Sequence, residues 1–592
     1  MYRFVFSACA ALLLGPAPAA ANGDAGPAAD IVVSATRSPV SVDETIVPVT
    51  IITRQDIEQS LATDLAELLR FEGGLDIGRQ GGPGQAASVF MRGTESNHTL
   101  VLVDGVRINP GTVGGAAIQH IAPELVERVE IVKGARSALF GTDAIGGVIN
   151  VITRRDDRAW AEGTIGGGSF DTRSAFLSAG QGSEEMELSA GLNFQTTDGF
   201  PPRSGSDIDR GYDNLSANLH AGRRFGSSWL SVRHWRAEGS NEYLDFFLAP
   251  LDQDFRNEST ALELDSTLTE GVESKLVLSR ITDEIRQNQS ADFVESVRHA
   301  LDWQVDLVHG AERWIGGLYY VDEDATALAF GSGFDVGTLT RAAFVEHLWS
   351  GDRHRTFAAL RLTDHESFGN HVTWNAEYAF ALNDRWTLNA GLGHAFRAPD
   401  ATDRFGFGGN PALDPEVADE AQLGLRFVPD ARQSLELELY AMDIEDLIEF
   451  DLAAFVLRNI GKAEIRGAEL RWEYRGEDWS VLASAVRQSA DNALEGVRLP
   501  RRAEESLSVQ LVRSLGPHRA GLALLANGDR VDVGDVSMPG YAVASLTGQF
   551  ALGEQWRLNA RIENLFDAQY ETAAGFPMQG RSAFVDIGWQ WQ

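Results

Sequence analysis

At 592 residues the chain could form several soluble domains or one large barrel with an accessory domain. Its 85 acidic against 50 basic side chains leave a net charge of -35, which argues against a nucleic-acid partner, because phosphate backbones need clustered Lys and Arg. Cys9 is the one cysteine, so no disulfide framework and no thiolate metal site is available.

Residues 1–21 carry Arg3, an apolar run over 4–14 and Ala19-Ala20-Ala21. Together these describe a secretory signal peptide cleaved before Asn22, and Cys9 would leave with it. No later apolar run approaches the roughly 20 residues of a membrane helix, so a membrane protein of this sequence must cross as a barrel. In the segment 22–40, Asp30, Ile31, Val32, Val33, Ser34 and Ala35 form a β-prone hexad. Such a hexad can add a strand to a partner's sheet through main-chain hydrogen bonds.

Residues 41–155 read as a compact α+β domain. The stretch 53–71 predicts two short helices, the first capped by Thr53 with Asp56 near its start, the second capped by Thr63 and stopped by Gly73-Gly74. Two glycine-rich loops stand out. One holds Arg79, Gln80, Gly81, Gly82, Gly84 and Gln85; the other holds Asn109, Gly111, Gly114 and Gly115. Between them Asp104-Gly105 joins two β-rich runs as a tight hairpin. Residues 129–132 and 148–152 add further short strands, with Gly141, Gly146 and Gly147 allowing turns and close backbone approach.

From 156 to 592 period-two alternation recurs. Leu435, Leu437, Leu439 and Ala441 alternate with Glu436, Glu438 and Tyr440; Ala583, Val585, Ile587, Trp589 and Trp591 do the same at the end. One face can meet lipid and the other a polar lumen. About 435 residues at about 20 per strand and connection give about 22 strands, a lumen too wide to fill with its own side chains. The expected fold is an all-β transmembrane barrel of about 22 antiparallel strands, with the N-terminal α+β domain as a plug in its lumen.

At residues 49–57, 81–85, 91–94, 98–106 and 134–153, and again at Phe396-Arg397-Ala398-Pro399, 406–416, 446–448 and Asn564-Leu565-Phe566-Asp567, the chain resembles the TonB-dependent outer-membrane receptors, most closely the cobalamin receptors among them. The resemblance spans nearly the whole chain after residue 21. It implies an active transporter in the outer membrane of a Gram-negative bacterium, a monomer surrounded by lipid, with TonB of the energised inner-membrane complex as partner. It implies that Asp30 to Ala35 are the TonB box and that the two glycine-rich loops touch substrate. It implies a calcium site among Asp198, Asp207, Asp209, Asp213, Asp245, Asp252 and Asp254, calcium being a cation that takes six to eight oxygens. It also implies a plug latch: Arg92 and Glu469 match the family's paired arginine and glutamate, Lys133 and Gln422 stand where the second pair is usual, and Glu420 lies two residues before Gln422.

A corrinoid is the expected cargo, with a ferric siderophore as the alternative. Haem is less favoured, since Asp400 to Gly409 contains no histidine, although His394 lies just before the Phe-Arg-Ala-Pro box. An outer-membrane hydrolase is disfavoured because no Gly-x-Ser-x-Gly occurs.

Overall fold

The computed structural model describes residues 31–32, 36–41, 44–155 and 158–591. The expected signal peptide and, within the expected TonB box, Asp30, Val33, Ser34 and Ala35 lie outside the described residues. Ile31–Val32 (β1) pairs antiparallel with Val40–Ser41 (β2).

The plug follows. After Val49–Ile52 (β3), Thr53 caps α1 (Arg54–Ser60) in a full capping box with Asp56, so two of the four orphan donors at the helix start are satisfied reciprocally. The second helix, α2 (Leu65–Leu69), is capped by Asp64, whose side chain accepts from the Glu67 amide at 2.8 Å. This corrects the expectation for Thr63. Its amide and hydroxyl both donate to the Glu67 carboxylate, so Thr63 sits one residue outside the cap. Then come Leu75–Arg79 (β4), Ala87–Met91 (β5), Thr99–Val103 (β6), Val106–Arg107 (β7), Val126–Lys133 (β8), the short α3 (Ser137–Phe140) and Gly147–Thr153 (β9). Five of the strands make one sheet, ordered β3-β8-β9-β6-β7, with β6 and β9 parallel. Asp104 and Gly105 turn the β6–β7 hairpin at φ 50° and 78°, the positive values that favour Asp-Gly there.

The barrel closes from 22 antiparallel strands. The first, Trp160–Gly168 (β10), pairs with the last, Ser582–Trp591, from Ala161 opposite Trp591 to Gly168 opposite Phe584. Closure leaves no edge whose unpaired N–H and C=O groups would face hydrocarbon. The alternation read from the sequence holds: on Gln433–Glu445, Leu437 and Leu439 are 38% and 44% exposed on the outer face, while Glu438 and Tyr440 are 5% and 4% exposed inside. Turns such as 226–227, 270–271 and 310–311 lie on the rim that holds both barrel ends, and long connections such as 398–415 and 564–581 lie on the other. Short turns mark the periplasmic rim and long loops the extracellular one.

The plug's core is Leu65, Leu69, Val101, Val103, Val129, Ile131, Ile149 and Val151, and the cluster continues into Tyr212, Trp235 and Phe255 of the barrel wall. Each fully buried Leu or Ile stabilises by about 1.5–3 kcal/mol, so plug and wall share one apolar core.

Candidate functional site

The expected latch residues come together in the lumen. The Arg92 guanidinium donates to Gln422 Oε1 at 2.9 Å and to Glu420 Oε1 at 3.3 Å, and lies 4.7 Å above the Tyr440 ring. Lys133 Nζ donates to Glu469 Oε1. The second oxygen of Glu420 takes the Ala135 amide at 2.6 Å, so one barrel carboxylate ties two plug segments. Burial alone would lower the Arg92 pKa; the Glu420, Glu438 and Glu469 carboxylates outweigh it and raise the pKa overall. Glu438 and Tyr440 belong to this cluster and were not read from the sequence, although both occupy the inward phase of an alternating strand. Arg136, buried and paired with Glu377, is a further plug-to-wall tie.

Towards the extracellular side stands a second polar cluster. Arg397 of the Phe-Arg-Ala-Pro box is 1% exposed and donates to Glu416 at 2.7 Å, Asp400 at 2.9 Å and Asp403 at 2.7 Å. Glu416 also faces His98 of the plug. Asp400 caps α4 (Ala401–Phe405) in a capping box with Asp403. Two amides of α4 reach the plug apex, Ala401 N to Gly111 O and Thr402 N to Thr112 O, each at 2.9 Å. The box therefore anchors an extracellular loop onto the plug.

The expected substrate loops both lie at the extracellular side of the plug, but most of their glycines serve packing. A Cβ on Gly81 would meet Pro202 at 2.6 Å, on Gly82 Phe200 at 3.0 Å, on Gly84 Tyr212 at 2.1 Å, on Gly111 Glu323 at 2.3 Å and on Gly114 Asp400 at 2.9 Å. Arg79 is held by Asp64, and its backbone pairs with the Thr572 hydroxyl. The Gln80 amide bonds within its own loop, to Ala86 O. Gln85 donates to Asn241 and to the Glu242 carbonyl. Asn109 is fully buried, spanning Val101 N, Thr99 O and Gly114 O. Gly115 has nothing within 4 Å of an added Cβ, and Val113 beside it is exposed. Val113 and Ala86 are the exposed positions of the loops, and half-buried Gly115 has free space beside it for a ligand.

The expected calcium ligands do not converge. Among the described residues no group of three or more His, Cys, Asp or Glu side chains is placed to hold a metal ion. Strand pleating explains part of this: Tyr212, Asn214 and Phe255 point inward, so Asp213 and Asp254 take the outer face and are exposed. Asp245 accepts the Phe247 and Ala249 amides of its own turn, and Asp252 accepts from Asn288 and Gln289. Asp198, Asp207 and Asp209 lie at or beside the 201–209 loop. His394 is paired with Asp419, which is 71% exposed, on the outer phase of its strand, so it is turned away from the lumen and from any haem there.

At the periplasmic side the segment after residues 30–35 is stapled to the wall. Arg37 pairs with Asp302, lies 4.3 Å above the Phe344 ring and donates to Leu139 O. Ser38 bonds Asp306, and Arg313 donates to Pro39 O at 2.8 Å. Nothing in the spacing of the sequence had pointed to this staple.

Residues 41–148 match the TonB-dependent receptor plug domain and residues 149–565 the TonB-dependent receptor-like β-barrel. The chain belongs to the TonB-dependent receptor family. It is 29% identical over 619 aligned positions to the vitamin B12 transporter BtuB of Vibrio cholerae serotype O1, covering all of both chains, and 28% identical to that of Vibrio vulnificus, covering 95% of this chain and 94% of the other. Among solved structures it is similar to the copper transporter OprC (TM-score 0.80, 18% identity, 93% of this chain and 100% of that one) and to the siderophore receptor PirA from Acinetobacter baumannii (TM-score 0.78, 16% identity, 92% and 98%). Those structural likenesses speak for the fold. This TonB-dependent receptor is a transporter of the Gram-negative outer membrane, and its family is one of transporters and receptors, not enzymes.

Proposed function

We propose that this receptor binds a corrinoid at the extracellular face and admits it to the periplasm when TonB pulls on the segment around Asp30 to Ala35. The end-to-end match to proteins named as vitamin B12 transporters carries the reading of the cargo. The position of the hexad supports the coupling: it lies just before the Arg37–Pro39 staple, so tension on it passes through the β1–β2 pairing to Asp302 and Asp306. An extended segment gripped by strand addition transmits such tension through main-chain hydrogen bonds.

The apex residues Val113 and Gly115 and the exposed Ala86 offer the first plug contacts, with the Arg397-anchored loop above them. No bond is made or broken in the cargo; the chain has to bind, release and reseal. Equilibrium binding of cyanocobalamin to the purified protein, with calcium and with chelator, tests the cargo. Binding in either condition supports it, and none in both turns the reading to a ferric siderophore. Deleting residues 30–35 should abolish uptake and spare binding.

A further inference from the structure

Between plug and wall the two flanks of the lumen differ. On the flank of α1 and α2 the ties are arginine-rich: Arg557 to Glu58, Arg561 to Glu67 and to Leu61 O, Arg475 to Asp56, with Gln549 donating to Glu58 O. Cavities there measure about 60, 80 and 140 Å³. On the opposite flank the edge hairpin β6–β7 runs from the apex loop at Gly111 down to the Asp104-Gly105 turn. A cavity of about 640 Å³ opens beside that turn, reaching Ser227 and Glu273 at the periplasmic rim. It continues upward into one of about 110 Å³, lined by Arg107, Val277, Ser279, Arg298 and Tyr319, and the two share Arg37, Asp104, Gly105, Lys275 and Gln304.

The hairpin meets the wall through Val106 against Ala261 and Ile281, and through the Gly111 amide on Glu323 at 2.8 Å. The larger share of polar ties on this side comes from the N-terminal segment itself: Arg37 on Asp302, Ser38 on Asp306, and Gln304 on Arg37 O. We infer that the cargo leaves along this flank, between the β6–β7 hairpin and the wall formed by Ser228–Leu244, Pro250–Thr269, Val272–Gln287, Phe293–His309 and Glu312–Ala329, and not past α1 and α2.

Three observations join in this. Arg37 lines both cavities and Ser38 and Pro39 line the lower one; they follow closely on the segment that TonB would pull, so their withdrawal removes a side wall and the ties in one movement. The lower cavity has more than four times the volume of the largest on the α1 flank, so the narrow part of the route is the upper one, around Arg37, Arg107 and Arg298. Gly105 has nothing within 4 Å of an added Cβ, so the hairpin tip has space into which to move. The route is polar and of mixed charge, with Lys275, Glu263, Asp302 and Gln304 on the wall, as suits a large amide-bearing solute that must not be retained.

The inference rests on the transport reading, and the chain suits a direct test, since Cys9 is the one cysteine and lies in the expected signal peptide. Single cysteines would be placed at Ser279→Cys, with Val277→Cys as a second variant, on the hairpin flank, and at Ser174→Cys, with Thr164→Cys, in the α1 flank cavity. Whole cells carrying the full chain would be treated with a bulky, reducible methanethiosulfonate reagent and assayed for radiolabelled cyanocobalamin uptake and binding.

Labelled Ser279→Cys should lose most of its uptake, keep binding, and recover on reduction, while labelled Ser174→Cys transports as the unlabelled variant does. Loss at the α1 flank, loss at both flanks (the plug leaving as one body), or full uptake by labelled Ser279→Cys overturns the route. If the unmodified receptor imports no cyanocobalamin, the cargo reading fails separately. The route is then read from labelling rates in energised and uncoupled cells, with acceleration at Ser279→Cys alone expected, and equal rates at the two flanks counting against it.

Discussion

His98 of the plug and Glu416 of the barrel meet at 3.1 Å, Nε2 to Oε2, with both side chains out of solvent. Glu416 also takes Arg397 on that same oxygen and the Ile448 amide at 2.9 Å on the other. One carboxylate thus joins the plug, the Phe-Arg-Ala-Pro box and the hairpin formed by Ile448–Asp451 and Val456–Asn459. Burial by itself would make so enclosed an anion costly, and the Arg397 guanidinium, the His98 ring and the Ile448 amide are what make it tenable.

Glu416→Ala should therefore be among the more damaging single changes in the plug interface. It leaves Arg397 buried with less compensation, and breaking a buried pair from one side costs about 3–5 kcal/mol. The expected result is faster hydrogen exchange in peptides covering 95–116 and a lower denaturant midpoint, with Glu416→Gln milder because it keeps an acceptor. Unchanged exchange in that segment would mean that the cluster does not hold the plug.

The latch makes a ranked prediction. Glu469→Ala leaves Lys133 buried without its partner, and the same one-sided loss of about 3–5 kcal/mol applies. Gln422→Ala removes one hydrogen bond to Arg92, which keeps Glu420, so about 1–3 kcal/mol is expected. Denaturant titrations that reverse this order would show that Arg92, not Lys133, carries the latch.

Much of the fold was legible because its causes are periodic. Alternation at Leu435 to Ala441, the Asp104-Gly105 hairpin and the Thr53 capping box are each fixed by neighbours in sequence, and each is found in place. The cap on α2 was misplaced by one residue because Thr63 and Asp64 are both good caps and the choice depends on which donor faces which oxygen. The seven aspartates are not gathered into one cluster, for a reason that composition hides: adjacent strand positions point to opposite faces, so nearby aspartates need not share one. The Arg37 staple and the His98–Glu416 tie were illegible because their partners lie 265 and 318 positions away.

The glycines of the two loops can be separated by what surrounds them. Gly84 has φ 73°, and a Cβ there would stand 2.1 Å from the Tyr212 ring, so Gly84→Ala combines backbone strain with overpacking and should cost about 1–3 kcal/mol or more. Gly115→Ala meets open space and should stay within about 0.5 kcal/mol of the parent. Denaturant midpoints check both. Gly115→Trp should then weaken cyanocobalamin binding while leaving the midpoint in place. If binding does not change, that apex position is not a ligand contact.

His120 gives the plug a dependence on acid. Its ring stacks on Phe255 with centroids 3.6 Å apart, and its Nδ1 lies 2.9 Å from the Tyr212 hydroxyl. Burial first, and then the charge of Arg79, push its pKa down to about 3, so it is neutral in the folded plug at pH 7. In an unfolded plug the same ring protonates near its ordinary value of about 6.5. The unfolded state then binds more protons, and stability falls as pH drops from about 6.5 towards 3, by up to about 1.4 kcal/mol per pH unit for one proton. Above about 6.5 the full stabilisation is present. His120→Phe keeps a flat ring for the stack and removes the titrating nitrogen. Its denaturant midpoint, followed from pH 7.5 to 4.5, should fall less steeply than that of the parent, and parallel curves for the two proteins would remove His120 as the source of the acid sensitivity.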